Sequence, residues 1–431
     1  MKIIQITPGA GDCFYCENCL RDHAQVRAMR ALGQDVMMVP LYLPALDDRN
    51  DDPITAVPIF FGGVNVYLQQ KLRLFRWTPR WLGRLFDFKP LLRWASRKTD
   101  LTKTEQLGET TLSMLRGSNG RQVKELDRLV DFLATERDVD FVHMSNALLA
   151  GLAPQIRQRL GCKVTCSLQG EDTYLDALGE KYSQLCWQEL KKRLEDVAGL
   201  FTASTYYAQT MAGRLSIPLE SICVTPNGIE TAGYSPAAVP PETHTIGFLS
   251  QMSYSKGLDI LIDAFGIIKK SPGFENLRLR ISGGSTAGDQ RFLREQRKII
   301  TRNGWDDDID WVEKFDRESK QDFLRSLSIL AVPARHGEAW AQYTLEAMAC
   351  GVPAILPNHG ANIEIVQATG GGILCEPNSP ESLAESIATL LDDPARAAAM
   401  GKQGRSYVLE NFSADKCAAT MLEKFQEIAK R

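Results

Sequence analysis

An α/β protein built of two Rossmann-like domains is what this sequence predicts, and three observations carry that expectation. The 431 residues exceed what one ordinary hydrophobic core organises. Short apolar runs that end in Gly, Pro or polar loops alternate with helical periodicity in both halves. Pro236, Pro240 and Pro241 mark a stiff connection near the middle. The expected boundaries are 1–235 for the first domain, 243–409 for the second, and 410–431 for a terminal helix.

Composition narrows the function classes. Hydrophobic content of 44% with 24% charged residues is that of a globular protein, and a net charge of −3 argues against a nucleic-acid partner. No run approaches the roughly 18 apolar residues of a spanning helix. Met1-Lys2-Ile3-Ile4-Gln5 opens on a strand rather than a signal peptide, and ten cysteines without an export signal imply reduced thiols and a cytoplasmic setting.

In the N-terminal half, Lys2 to Ile6 reads as a strand, followed by the turn Pro8-Gly9-Ala10-Gly11, where two glycines let backbone approach a ligand. A helix to Leu32 capped by Gly33, then a strand over 35–41, complete one βαβ unit. Gly9-x-Gly11 is only part of the full dinucleotide fingerprint. Cys13, Cys16, Cys19 and His23 follow the turn. They have ligand chemistry for zinc or an iron–sulfur cluster, but no second cluster matches them and they straddle a loop and a helix start. The alternative is a set of small thiols near the cleft.

Residues 67–98 carry nine Lys or Arg against the single acid Asp87, interleaved with Phe75, Trp77, Trp81, Phe86, Phe88 and Trp94. Thr78-Pro79 starts a helix with Trp81, Leu82, Leu85 and Phe86 on one face and Arg80 and Arg84 outside it. Basic amphipathic helices bearing Trp lie in membrane interfaces. Two other readings stand beside that one: a helical insertion packed on the domain, and a clamp for an acidic acceptor, which puts Arg80 and Arg84 on the acceptor side.

The crevice residues come from strand ends. Phe141-Val142 leads to His143, and 163–168 leads to Gln169-Gly170-Glu171-Asp172. In the C-terminal half, strands are expected at 245–249 and 277–281, the latter ending in Gly283-Gly284, with a helix from Leu258 to Lys270. Asp306-x-Asp308 sits in a turn before a strand and reads as a solvated acidic turn. The richest stretch is Ser328 to Val366. The strand Ile329–Val332 ends at Pro333, a polar loop holds Glu338, and a helix with Glu346 stops at Gly351-Val352-Pro353. Loops at the carboxyl ends of parallel strands form the ligand crevice. The helix start near Trp340 and Ala341 offers backbone N–H groups to phosphate or sugar oxygens.

Glu338-x7-Glu346 followed by Ala347-Met348-Ala349-Cys350-Gly351-Val352-Pro353 resembles the signature of family 4 retaining glycosyltransferases of the GT-B fold. Val224-Thr225-Pro226-Asn227-Gly228-Ile229 and Asn362-Ile363-Glu364-Ile365-Val366 resemble further segments of that family. The resemblance implies two Rossmann-like domains facing a cleft, with the last helix crossing back to the first domain. It implies transfer of a sugar from a UDP- or GDP-linked donor to a glycan or lipid-linked hydroxyl, with retention, no cofactor and no metal. By the same resemblance Glu338 lies beside the transferred sugar, Glu346 holds the ribose, Gly9 and Gly11 face the donor, and Asn227 and Gly283 border it. Lys256 is the cation of the diphosphate grip, whose arginine position falls on Gln251. Gln169 stands where the family's His-Gly-Glu-Asp segment has histidine; with His143 and Asp172 it would line the opposite wall. A GT-B epimerase or phosphorylase, or a non-catalytic membrane-associated sugar-nucleotide-binding protein, is the alternative function.

Overall fold

The computed structural model describes residues 1–9, 17–42, 60–61, 104–313 and 316–431. The first sheet contains β1 (Lys2–Thr7), β2 (Asp35–Pro40), β3 (Phe141–Met144), β4 (Lys163–Leu168), β5 (Gly199–Thr202) and β6 (Ile222–Val224), in the order β2-β1-β3-β4-β5-β6. The second contains β7 (Thr245–Leu249), β8 (Arg278–Ser282), β9 (Ile309–Val312), β10 (Ile329–Ala331), β11 (Ala354–Pro357) and β12 (Gly372–Cys375), in the order β12-β11-β10-β7-β8-β9. Neighbouring strands pair in parallel throughout both sheets. Helices cover both faces of such sheets, which is why β3 and β10 are continuous apolar or buried runs without alternation. With the returning terminal helix, this is the GT-B architecture.

Each sheet has a switch point, between β1 and β3 in the first and between β7 and β10 in the second. Chains leaving adjacent strands there turn to opposite sides and open a crevice between their loops. The loops after β7 and β10 carry Lys256 and Glu338, so the topology brings two distant sequence positions to one edge.

The chain passes twice between the halves, and the passages touch. Ile229 donates its N–H to the Phe412 carbonyl (3.0 Å), and Ala414 donates to the Ile229 carbonyl (2.8 Å). A Cβ on Gly228 would lie 2.6 Å from the Ser413 carbonyl oxygen, so only glycine permits this approach. Ser413 then caps the helix Ala414–Lys430 by accepting from the Lys416 N–H. That helix buries Met421, Phe425 and Ile428 against Ile3, Phe141 and Phe201 of the first domain.

The acidic turn Asp306-Asp307-Asp308 is tied to the protein by Thr301, which donates to Asp306, and by a 2.8 Å ion pair of Asp308 with Lys269. No helix among the described residues is long and apolar enough to cross a membrane.

Candidate active site between the two domains

A cleft of about 350 Å³ lies between the sheets and takes its lining from both. The volume is in the range of small-molecule sites. Seven residues singled out in the sequence meet on it: Gln169, Asp172, Asn227, Gln251, Lys256, Glu338 and Trp340.

The second domain builds its wall by stapling two loops together. Lys256 ends a short 3₁₀ turn, and Gly257 follows at φ 72°, where a Cβ would lie 1.9 Å from the Pro333 carbonyl oxygen. Glycine therefore lets the loop after β7 press on the loop after β10. Arg335 locks the junction: it pairs with both Asp259 oxygens (2.8 and 2.9 Å), stacks 3.7 Å above the Tyr254 ring and donates its backbone N–H to the Ser255 carbonyl. Lys256 Nζ is thereby brought onto the Glu338 carboxylate, which also accepts from the Tyr343 hydroxyl.

On the same wall lies Gln251, at the position where the resembled family has arginine. Its Nε2 donates to Asp289 (3.0 Å), and the same Asp289 oxygen accepts from the Thr286 N–H and hydroxyl. Ser250, which the sequence reading passed over, lines the cleft with a buried Oγ that has no hydrogen-bond partner among the described residues. Its only sequence signal is its position at the end of β7. Trp340 reaches across the domain boundary and donates its indole N–H to the Asn227 carbonyl (3.1 Å).

The first domain's wall holds another residue that sequence reasoning missed. Arg21, on the helix Glu17–Ala31, lines the cleft and donates to Gln169 Oε1, to Asn18 (3.0 Å) and to the buried Asp22. Gln169 thus offers a permanent acceptor to a guanidinium, which explains how glutamine is accommodated at that position. Glu171 is buried; its carboxylate accepts from the Ala147 and Gln169 N–H groups and the Tyr207 hydroxyl, and burial pushes its pKa up. Tyr207 also donates to Asp172 (2.9 Å), orienting the carboxylate that faces the cleft. The first domain's wall is therefore a preorganised polar network.

Several expected residues lie elsewhere. His143 is 1% exposed and does not line the cleft. It sits within β3, not beyond its end, so it points sideways into the core, edge-on to Phe201 and Phe425, with its nitrogens on Thr165 (2.9 Å) and Ser167 (3.0 Å). Burial, then the Arg21 charge, lowers its pKa from 6.5 to about 3, and it is a neutral core residue. Glu346 is also buried and off the cleft lining: the helix Gln342–Ala349 is buried all round, and the carboxylate meets Lys320 Nζ (2.5 Å) and the Tyr234 hydroxyl (3.1 Å). Gly9, Gly283 and Ala341 are buried outside the lining too; Gly283 serves the backbone, since a Cβ there would lie 1.8 Å from the Ser250 carbonyl oxygen. Gln342, at the first turn of that helix, reaches the cleft instead of Ala341.

Gly11, Cys13, Cys16, Arg80, Arg84 and the whole of 67–98 lie outside the described residues. His23 is 1% exposed, and among the described residues no three His, Cys, Asp or Glu side chains cluster as a metal site would require.

Comparison with known proteins fits this geometry. Residues 236–407 match the family model of glycosyl transferases group 1. The chain is 26% identical, over 68% of its length and 77% of the relative's, to a GDP-mannose-dependent alpha-(1-6)-phosphatidylinositol monomannoside mannosyltransferase of Mycobacterium tuberculosis. It is 25% identical, over 58% of its length and 62% of the relative's, to the D-inositol 3-phosphate glycosyltransferase of Paenarthrobacter aurescens. Among solved structures it superposes on sucrose-phosphate synthase from Thermosynechococcus elongatus with a TM-score of 0.72 at 19% identity, covering 99% of both chains. Anabaena HepE in complex with UDP-glucose superposes with a TM-score of 0.68 at 15% identity, covering 99% of this chain and all of that one. The chain is a glycosyltransferase of the GT-B fold, and its residues 236–407 are similar to the group 1 domain.

Proposed function

We propose that the chain is a retaining glycosyltransferase that takes a sugar from a UDP- or GDP-linked donor and passes it to a hydroxyl of a glycan or lipid-linked acceptor. The observation that supports this most is the pairing of Lys256 with Glu338 on the wall of a cleft also lined by Ser250, whose hydroxyl has no partner among the described residues. A point cation, a hydroxyl and the first turn of the helix Gln342–Ala349 suit a diphosphate, and a carboxylate next to them suits sugar hydroxyls.

In the proposed step the bond from the anomeric carbon to the diphosphate oxygen breaks while the acceptor oxygen bonds to that carbon from the same face. The acceptor proton passes to the leaving diphosphate oxygen. Lys256 and the helix start offset the charge that develops on the diphosphate, so the step needs no metal. Glu338 holds the sugar as its anomeric centre becomes cationic. Arg21, Gln169 and Asp172 face the acceptor. The mannosyltransferase relative uses GDP-mannose and the HepE complexes contain UDP or UDP-glucose, so both donor bases are in scope.

A panel of UDP- and GDP-sugars tests the reading, first by thermal shift and then by product formation with lipid-linked and glycan acceptors. A stabilising donor should give a glycoside whose anomeric configuration by NMR matches that of the donor. An inverted product would refute retention, and products formed from donor alone or with phosphate would refute transfer.

A further inference from the structure

Glu364 makes a contact across the domain boundary that neither the cleft chemistry nor the sequence motif explains. It stands in the first turn of the helix Asn362–Thr369, on the second domain. Its carboxylate accepts the Thr205 N–H (2.9 Å) and the Tyr206 N–H, the first two of the helix Thr205–Leu215 on the first domain. The next two N–H groups of that helix are satisfied by its own N-cap: Tyr207 donates to Ser204 Oγ (3.1 Å) and Ala208 to the Ser204 carbonyl (3.0 Å). The first N–H groups of a helix have no intrahelical acceptor, and among the described residues two of them here are completed from the other domain. Negative charge at a helix N-terminus also gains from the helix dipole.

The same junction reaches the Glu338 loop. Ser204 Oγ donates to the Ala339 carbonyl (2.9 Å), and Ala361, three residues before Glu364, donates its N–H to the Glu338 carbonyl (3.0 Å). Gly360, at φ 65°, and Gly337 pack so closely that a Cβ on the first would lie 2.6 Å from the Glu338 nitrogen. A Cβ on Gly337 would lie 2.3 Å from the Tyr206 hydroxyl. Residues 337–339 are therefore held between Ser204 and Tyr206 on one side and the Glu364 segment on the other.

We propose that Glu364 is a positioning residue and an interdomain clasp: by capping the helix Thr205–Leu215 it holds the cleft closed and seats the loop that carries Glu338. The kinetic part rests on the glycosyl-transfer reading; the closure part does not. Parting the domains would release the Thr205 and Tyr206 donors to water, so the clasp favours the closed arrangement without touching either substrate.

The test uses the full chain as parent, E364A and E364Q, each first checked for a parent-like circular dichroism spectrum. Small-angle scattering without ligand should give E364A a larger radius of gyration than the parent, with E364Q, which keeps one carbonyl acceptor, between them. With a donor from the panel, E364A should lose about tenfold or more in kcat, and its Kd for the nucleoside diphosphate should stay within about twofold. Its ratio of donor hydrolysis to transfer should rise, because an unseated cleft admits water. Unchanged radii, or parent kcat in E364A, would overturn the clasp. A diphosphate Kd that rises in step with the fall in kcat would make Glu364 a donor ligand and overturn it too. If the parent turns over no nucleotide sugar, the functional reading fails, while scattering still decides the clasp.

Discussion

Lys256 and Glu338, 82 positions apart, form an ion pair on one wall of the cleft, with side-chain exposures of 23% and 12%. Each is therefore mostly shielded and already partnered. In the proposed reaction a diphosphate draws Lys256 away and leaves the carboxylate, still held by Tyr343, facing the sugar. The pair keeps both charges oriented before the donor arrives, which lowers the reorganisation needed during transfer.

Glu346 leads to a prediction about stability. Its carboxylate lies against Lys320 and Tyr234 inside the second domain. Glu346→Ala strips Lys320 of that carboxylate in a buried setting and should cost on the order of 3 kcal/mol or more. Glu346→Leu combined with Lys320→Met should recover most of the loss. Urea unfolding of the parent and both variants checks this. If Glu346→Ala unfolds like the parent and only raises the donor KM, the residue serves the ribose and not the core.

His143 predicts an acid-dependent loss of stability. The folded chain refuses a proton that the unfolded chain accepts between pH 6.5 and about 3. Its contribution is complete above pH 6.5 and falls as the pH drops toward 3. At pH 5 one such group costs about 2 kcal/mol. The urea midpoint measured at pH 7 and pH 5 should fall less in His143→Gln than in the parent. Identical falls would show that the ring does not titrate in this way.

The basic aromatic segment 67–98 predicts binding to an anionic membrane surface. The protein should co-sediment with vesicles containing phosphatidylserine, less so as salt rises. Replacing Arg80, Trp81 and Arg84 together should abolish this without changing the melting temperature. No co-sedimentation with anionic vesicles would favour a packed insertion.

Much of the fold was legible because its signals are local. The strand 329–332 and the Gly351-Val352-Pro353 stop declare themselves through apolar runs and backbone-limited residues. Lys256 and Glu338 were legible because both follow strand ends, where parallel sheets gather their sites. His143 was misread by the same rule: it lies one pleat inside β3, and the last helix, Ala414–Lys430, covers that face. Nothing local tells a strand-end histidine from a strand-interior one. Arg21 was missed because it reads as one of several cations on its helix; only the fold brings it to Gln169. Glu364 stood out only as part of a family-like segment, and its contact with the Thr205 helix depends on how the two domains meet.

The central claim is that Glu338 acts on the sugar during transfer while Lys256 serves the diphosphate before and during it. Steady-state kinetics and calorimetric titration of the nucleoside diphosphate, on Glu338→Gln and Lys256→Met, separate the two roles. Glu338→Gln should lower kcat by on the order of 10² and leave diphosphate affinity nearly unchanged. Lys256→Met should weaken the diphosphate and lower kcat together. Normal turnover by Glu338→Gln, or parent diphosphate affinity in Lys256→Met, would contradict the account.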